Sequence, residues 1–226
     1  NRELVRALIP EVETPDLPAD PKEYTKFLHS LNYFTTDVIT DEDKMRGNLY
    51  VTERLRKEQE KQYENKEDFL KSLNLELSIW KDNDSCTPRL AQLTEKTNQF
   101  NTLKSPLTED EIRTFMVSKD HRIFHGQLKD IFGDYGVILF ALVEIQGDMW
   151  HIRSMLMSCR VFGRDAEEAF LGEIIKQAHK DGAKKFTIDF TESEKNAPAK
   201  DFVAKHFKEG YKQVEEKPNQ PAWITT

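Results

Sequence analysis

The chain has 226 residues, enough for one large domain or two modest ones with an ample hydrophobic core. Its 40 acidic residues outnumber the 33 basic ones, and the resulting formal charge of −7 argues against nucleic acid or an anionic membrane as a partner. No apolar run approaches the roughly 20 residues that cross a bilayer, so we expect a cytoplasmic protein whose two cysteines are free thiols.

Residues 1–72 have a different character from the rest of the chain. The chain begins inside a helical pattern, and we therefore expect it to be part of a longer protein. A proline-rich stretch, a short helix and a long helix that begins near Asp41 follow. The charged run over residues 52–61 contains few core residues and should be largely exposed to solvent. This region is typical of the end of a larger domain followed by a linker helix.

Residues 73–226 alternate between strand and helix patterns. The predicted elements are, in chain order, a strand around Leu75–Ile79, helices Pro88–Thr97 and Glu109–Val117, strands Ile123–Phe132, Val137–Ile145 and Met149–Met157, a helix Ala166–Lys180, a strand Phe186–Phe190, a helix Lys200–Lys208, and edge strands Tyr211–Glu215 and Ala222–Thr225.

The connections between these elements predict a mixed sheet. Short turns join the three middle strands, which should therefore be antiparallel, whereas the helix Ala166–Lys180 should connect two parallel strands. The strand Val137–Ile145 is apolar on both faces and should be central. This order resembles the GNAT (Gcn5-related N-acetyltransferase) fold, an α/β architecture with a mixed sheet flanked by helices.

The junction Met157–Asp165 carries the most informative chemistry of the chain. It closes an apolar strand, turns through Gly163 and opens an amphipathic helix, so unpaired backbone N–H groups should point at one spot and attract an anion. Cys159 and Arg160 stand at the same junction, where a helix dipole and a guanidinium favour a thiolate. The pattern indicates an acyl-carrying or phosphopantetheine-binding site.

Three separated motifs resemble those of FkbH-like proteins, which join an N-terminal HAD-IIIC (haloacid dehalogenase-like) domain to a C-terminal GNAT-like domain. They are Lys96–Asn101, Phe132–Gly136 and Ser158–Arg164, and the stretches Arg2–Arg6 and Leu17–Pro21 resemble the segment after the last acidic motif of the HAD domain. The resemblance implies that residues 1–72 are the remnant of the HAD-like domain plus a linker helix. It also implies that residues 73–226 are a GNAT-like acyltransferase domain.

The resemblance further implies acyl-group handling. FkbH-like enzymes divert a glyceryl group from 1,3-bisphosphoglycerate onto an acyl carrier protein, with a thioester on an enzyme cysteine along the path. Cys159 would be that cysteine by its position in the motif, and an upstream HAD-like domain would remove phosphate. No cofactor would be bound tightly, because the phosphopantetheine arm of the carrier, or CoA, is a substrate.

One departure from the GNAT pattern keeps two other functions open. Asp165 stands where the anion-binding turn usually has glycine or alanine, and a carboxylate beside a phosphate is unfavourable. Asp165 would instead suit the N-cap of the following helix. The alternatives are a non-catalytic GNAT-fold module that binds a carrier protein or another partner, and a CoA-dependent N-acetyltransferase.

Histidines on neighbouring strands supply the candidate general base. His121, His125 and His151 lie on or beside these strands, and we rank His125 first as the base that would assist Cys159. We expect no metal site, because His121 and His125 have no nearby carboxylate or cysteine at ligand spacing.

Polar residues around the junction complete the predicted site. Arg160, Gly163 and Arg164 are the predicted contacts to the phosphate of the arm or of CoA. Asn98, Gln99 and Asn101 place three side-chain amides within four residues. Leaving their hydrogen bonds unmade would be costly, so we expect them to cap a helix or line a polar cleft. The candidate substrate-binding residues are Asn98, Gln99, Asn101, Asp134 and Asn196.

Overall fold

The computed structural model describes residues 2–9, 11–31, 33, 52–207, 221 and 223–225. Contacts divide the chain into two compact units, Asn1–Asn48 and Leu49–Thr226. The first unit contains α1 (Arg2–Leu8) and α2 (Tyr24–Ser30), and neither of these helices has a buried residue. The predicted start of the long helix near Asp41 lies outside the described residues.

The second unit contains most of the secondary structure. Its elements are α3 (52–60), α4 (Lys66–Ser72), β1 (Leu75–Lys81), α5 (Thr87–Lys96), β2 (Phe100–Asn101), α6 (Glu109–Val117), β3 (His121–Asp130), β4 (Gly133–Gln146), β5 (Met149–Met157), α7 (Ala166–Lys180), β6 (Lys185–Ile188), α8 (Ala197–His206) and β7 (Ile224–Thr225). The bounds of α6, β5 and α7 are those that the sequence predicts. The predicted strand Tyr211–Glu215 lies outside the described residues. No described helix has the length and apolar character of a membrane span.

The described strands form one mixed sheet of seven, which confirms the predicted fold class. Along the sheet the order is β2, β5, β4, β3, β1 and β7, and β6 also pairs with β5. The strands β3, β4 and β5 form the predicted antiparallel meander. The helix α7 connects β5 to β6, which run parallel as predicted. The short strand β2, which the sequence did not predict, pairs antiparallel with the end of β5.

Helices cover both faces of the sheet, and β4 supplies side chains to both cores. The larger core packs α4, α7 and α8 against one face and includes Leu139 and Ala141 of β4. The smaller core packs α5 and α6 against the other face and includes Phe140 and Leu142. Burying a leucine or phenylalanine side chain contributes roughly 1.5–3 kcal/mol. The interior position of β4 therefore follows from its two apolar faces.

The turn between β3 and β4 falls earlier than the sequence predicts. The predicted strands Ile123–Phe132 and Val137–Ile145 leave residues 133–136 for the turn, but this segment belongs to β4. The carboxylate of Asp130 accepts hydrogen bonds from the backbone N–H groups of Phe132 and Gly133, at 2.8 and 3.1 Å. These bonds hold the turn at residues 131–132. This tighter turn brings Tyr135 into the larger core.

The helices α3 and α4 belong to the sheet unit by their contacts. Phe69, Leu70 and Leu73 are buried in the larger core. Arg56 of α3 is also buried, although the sequence predicts an exposed helix here. The packing therefore groups residues 52–72 with the sheet. The functional boundary between residues 1–72 and 73–226 remains a prediction.

Candidate functional site

Cys159 lies at the surface, in the turn that follows β5. A short 3₁₀ helix, Cys159–Val161, begins two residues after the end of the strand, and Val161 anchors it in the core. Gly163 then adopts φ +79°, a conformation that favours glycine, before α7 begins. The side chain of Cys159 is exposed. The predicted strand, glycine turn and helix are all present, and they leave the thiol open to solvent.

The start of α7 carries more negative charge than an anion site would favour. Asp165 occupies the predicted N-cap position, but with φ +55° its side chain makes no capping hydrogen bond. Its carboxylate lies 3.8 Å from Nζ of Lys66 instead. Glu167 and Glu168 follow in the first turn. Because three acids surround the positive end of the helix dipole, they compete with an external phosphate for it.

Glu167 is a titratable group that the sequence analysis missed. Burial, together with the nearby Asp165 and Glu168, raises its pKa to about 7. Its Oε2 atom is buried and has no hydrogen-bond partner among the described residues. The signal was present in the sequence, because Glu167 precedes the buried Phe170 and Leu171 by three and four positions on the same helix face.

The three predicted phosphate contacts occupy different environments. Gly163 is exposed, and Arg160 is partly exposed with its Nε donating to Oγ of Ser158 at 3.2 Å. The side chain of Arg164 is 6% exposed and makes an ion pair with Glu53 at 3.1 Å. The structure therefore directs Arg164 inward, whereas Lys66 lies beside the turn, with its Nζ 3.9 Å from the position that a Cβ on Gly163 would take.

Two arginines hold the turn against α3. The guanidinium groups of Arg56 and Arg164 each lie 4.9 Å from the centre of the Tyr135 ring, in cation–π geometry. Arg56 forms an ion pair with the fully buried carboxylate of Asp130 at 2.9 Å, and the Tyr135 hydroxyl donates to the same carboxylate at 2.6 Å. Burial raises the pKa of Tyr135, so its hydroxyl stays protonated. The Phe132–Gly136 motif thus contributes to this buried network, which includes Glu53.

His125 lies with Cys86 rather than with Cys159. The imidazole is buried, and both of its ring nitrogens are 3.6 Å from Sγ of Cys86. It also stacks on Trp80, with ring centroids 5.3 Å apart. No contact between His125 and Cys159 occurs in the described structure, so the predicted catalytic pair is not brought together.

The predicted substrate-binding residues separate into an exposed group and a buried group. Asn98 and Gln99 are exposed just after α5. Asp134 is exposed too, and its carboxylate accepts hydrogen bonds from the Gln127 side chain and the Gly136 backbone. These bonds give Asp134 a structural role at the start of β4. In this exposed group, only Asn98 and Gln99 have no such role among the described contacts.

Asn101 and Asn196, the buried group, hold β2 in the sheet. The Asn196 amide donates to the backbone carbonyls of Asn101 and Thr191, at 3.0 and 2.9 Å, and the Asn101 amide donates to the carbonyl of Thr97 at 3.0 Å. The next residue, Thr102, exchanges hydrogen bonds with the backbone of Met155. The chain itself therefore fills the edge of β5 beyond its pairing with β6.

Among the described residues, no three His, Cys, Asp or Glu side chains are grouped as metal ligands. Comparison with protein-family models gave no match. Comparison with curated proteins gave no match either.

Comparison with solved structures found acetyltransferases. The ribosomal-protein-S18-alanine N-acetyltransferase from Escherichia coli is 14% identical with a TM-score of 0.44, over 57% of this chain and 75% of that one. A putative GNAT acetyltransferase from Desulfovibrio desulfuricans is 11% identical with a TM-score of 0.45, over 57% and 82%. The PaiA N-acetyltransferase from Thermoplasma acidophilum, in complex with coenzyme A, is 14% identical with a TM-score of 0.42, over 61% and 96%.

Proposed function

We propose that this chain is the GNAT-like portion of an FkbH-like enzyme and transfers an acyl group, such as glyceryl, through a thioester on Cys159 to an acyl carrier protein. The observation that supports this proposal is the exposed thiol of Cys159 in the turn between β5 and α7. An exposed thiol at the end of a rigid strand can meet the flexible arm of a second protein, whereas a buried one cannot.

The groups around the turn have distinct roles in the proposed transfer. The thiol of Cys159 loses its proton as its sulfur bonds to the acyl carbon, and the donor leaves with the bonding electron pair, as phosphate when the donor is 1,3-bisphosphoglycerate. The carrier thiol then attacks the thioester, which forms the carrier thioester and returns Cys159 as a free thiol. Arg160 and Lys66 would contact the single phosphate of the carrier arm, next to the open backbone at Gly163. Glu167 can exchange a proton near neutral pH, because its pKa is raised to about 7.

The two regions of the chain would have the separate roles that the resemblance implies. Residues 73–226 would carry the acyltransferase chemistry, and residues 1–72 would connect it to an upstream HAD-like domain that removes phosphate. The phosphopantetheine arm, or CoA, would be a substrate rather than a resident cofactor.

Mass spectrometry of the full-length protein tests the role of Cys159. After incubation with 1,3-bisphosphoglycerate, we expect a glyceryl adduct on the Cys159 peptide, which a carrier protein then removes. Cys159→Ser should lose this adduct, and Cys86→Ser, the matched control, should keep it. If the Cys159→Ser protein transfers glyceryl to the carrier at the wild-type rate, Cys159 has no part in the mechanism.

A second function, a non-catalytic module that docks a carrier protein, has its own supporting observation. Acids surround the start of α7, and β2 fills the free edge of β5, so two places that could hold an arm are occupied by the chain itself. This alternative predicts that Cys159→Ser leaves carrier binding unchanged and that the wild type forms no acyl adduct. Titration of the carrier, followed by fluorescence anisotropy, separates it from the transferase.

A further inference from the structure

A second thiol packs against the smaller core, under α5 and α6, in the loop that precedes α5. Cys86 ends a short 3₁₀ helix, Asp84–Cys86, and occupies the N-cap position of α5 without a side-chain capping bond. Its sulfur is 3.6 Å from both ring nitrogens of His125, within the distance at which a thiol interacts with imidazole. Cys86 is partly exposed, so a small molecule can reach it.

The imidazole of His125 is held in a fixed orientation. Trp80, its partner on the neighbouring strand β1, stacks on the ring at an interplanar angle of 19°. Burial lowers the pKa of His125, and a hydrogen bond to the Asn83 backbone acts in the opposite direction. The ring is therefore neutral near pH 7. A neutral imidazole has one nitrogen with a free lone pair, and because Sγ of Cys86 is 3.6 Å from both nitrogens, that nitrogen is within reach of the thiol proton in either tautomer.

The loop that positions Cys86 is tied to its surroundings by short hydrogen bonds. Oδ1 of Asp82 accepts the backbone N–H of Ile123 at 2.8 Å, which fixes the loop to β3. The Asn83 side chain accepts the N–H of Ser85 at 2.9 Å, and Asp84 contacts Arg113 of α6 at 3.2 Å. These bonds remove the freedom that a thiol on an open loop would have, so Cys86 is preorganised beside its base.

We propose that Cys86 and His125 form a thiol–imidazole pair that accepts acyl groups from small thioesters, independently of Cys159. In this step the sulfur of Cys86 bonds to the acyl carbon as its proton passes to His125. The bond from the acyl carbon to the donor sulfur then breaks, and the donor thiolate takes the proton from His125. The products are acyl-Cys86 and a free donor thiol, with no oxidation or reduction.

The pair can be tested in a chain that lacks the other thiol. A Cys159→Ser protein is incubated with S-acetyl-N-acetylcysteamine, and acetylation of the Cys86 peptide is followed by mass spectrometry. Adding His125→Gln should slow acetylation at least about tenfold, in line with the roughly 10²–10⁴-fold contribution of a general base. His151→Gln is the matched control, because His151 is also a strand histidine but bonds Thr187 and Asp189. Equal rates in the two variants would overturn the proposal.

The pH dependence gives a second readout that needs no change at His125. Burial raises the pKa of Cys86, and Asp84 adds to the effect while Ser85 and Arg89 oppose it. If free thiolate reacted, the rate would rise about tenfold per pH unit through the neutral range. Base assistance by a neutral imidazole predicts a nearly level rate from about pH 7 to 9. A tenfold rise per unit would contradict the pair, whatever the outcome at Cys159.

Discussion

The two cysteines of this chain stand in contrasting environments. Cys159 is exposed on a surface turn with acids around the start of the next helix, and no described histidine contacts it. Cys86 is half-buried against a buried histidine that is itself held by a stacked tryptophan. Exposure to solvent and contact with a histidine are thus found at different sulfurs. From this difference in burial we expect a large partner to reach Cys159 and only small molecules to reach Cys86.

The supports behind the two thiols differ as well. Buried charges hold the Cys159 turn, through Arg56, Arg164 and the Asp130 carboxylate. Side-chain oxygens of Asp82 and Asn83 that accept backbone N–H groups hold the Cys86 loop, together with the exposed ion pair of Asp84 and Arg113. Because removing one partner of a buried ion pair leaves an uncompensated charge, the turn should be more sensitive to a single substitution than the loop.

Of the substitutions considered, Arg56→Ala should lower the free energy of unfolding the most. It leaves the buried Asp130 carboxylate without its ion pair, and we expect the free energy of unfolding to fall by about 3–5 kcal/mol. Arg54→Ala, on the exposed side of the same helix, should change it by less than about 0.5 kcal/mol. Urea unfolding measures both values.

Hydrogen exchange shows whether the Arg56→Ala effect is local. Amide protection should fall over residues 158–168 and persist over residues 82–90, where the Cys86 loop has its own hydrogen bonds. Equal loss of protection in both segments would mean that the two regions share one support.

Glu167→Gln should raise the free energy of unfolding, by less than Arg56→Ala lowers it. Burial raises the pKa of Glu167 from 4.5 to about 7, so the folded chain binds more protons than the unfolded chain between these values. The free energy of unfolding therefore falls as pH rises through this range and is lowest above it. We expect Glu167→Gln to gain about 1–3 kcal/mol at pH 8 and little below pH 5.

Thermal and urea unfolding at several pH values check this prediction. Glu173→Gln, on the same helix with its carboxylate paired to Lys176 at 2.9 Å, is the control and should not reproduce the pH-dependent gain. A gain for Glu167→Gln that is the same at pH 5 and pH 8 would show that ionisation of Glu167 is not its cause.

Asp82→Ala should have the smallest effect on stability, on the side of Cys86. The side chain accepts the Ile123 N–H, and losing this bond should cost about 1 kcal/mol. Asp82→Asn keeps an acceptor and tolerates the φ of +49°, so it should be nearly neutral. Acetylation of Cys86 should slow in Asp82→Ala and not in Asp82→Asn. An unchanged rate in both variants would show that the Asp82 hydrogen bond does not position Cys86 for the reaction.

Local patterns in the sequence were enough to predict most of the fold. The bounds of α6, β5 and α7 follow from hydrophobic periodicity, and the two apolar faces of β4 predict its interior place in the sheet. The strand β2 was not predictable in the same way, because it has only two residues and exists through its pairing with Met157 and Leu156. Arg56 was expected in solvent for a related reason, since its charged helix gives no sign of the distant Asp130.

Local sequence patterns predicted the order of the strands and helices apart from β2, the turn at Gly163 and the position of Cys159 just after a core strand. These features depend on side chains close together in the chain, where periodicity and the glycine conformation act directly. Long-range packing places His125 against Cys86, turns Arg164 inward and lets Asn101 and Asn196 secure β2. Each of these contacts joins residues tens of positions apart, and only the pairing register of the strands and the packing of the helices on them bring such side chains within a few ångströms.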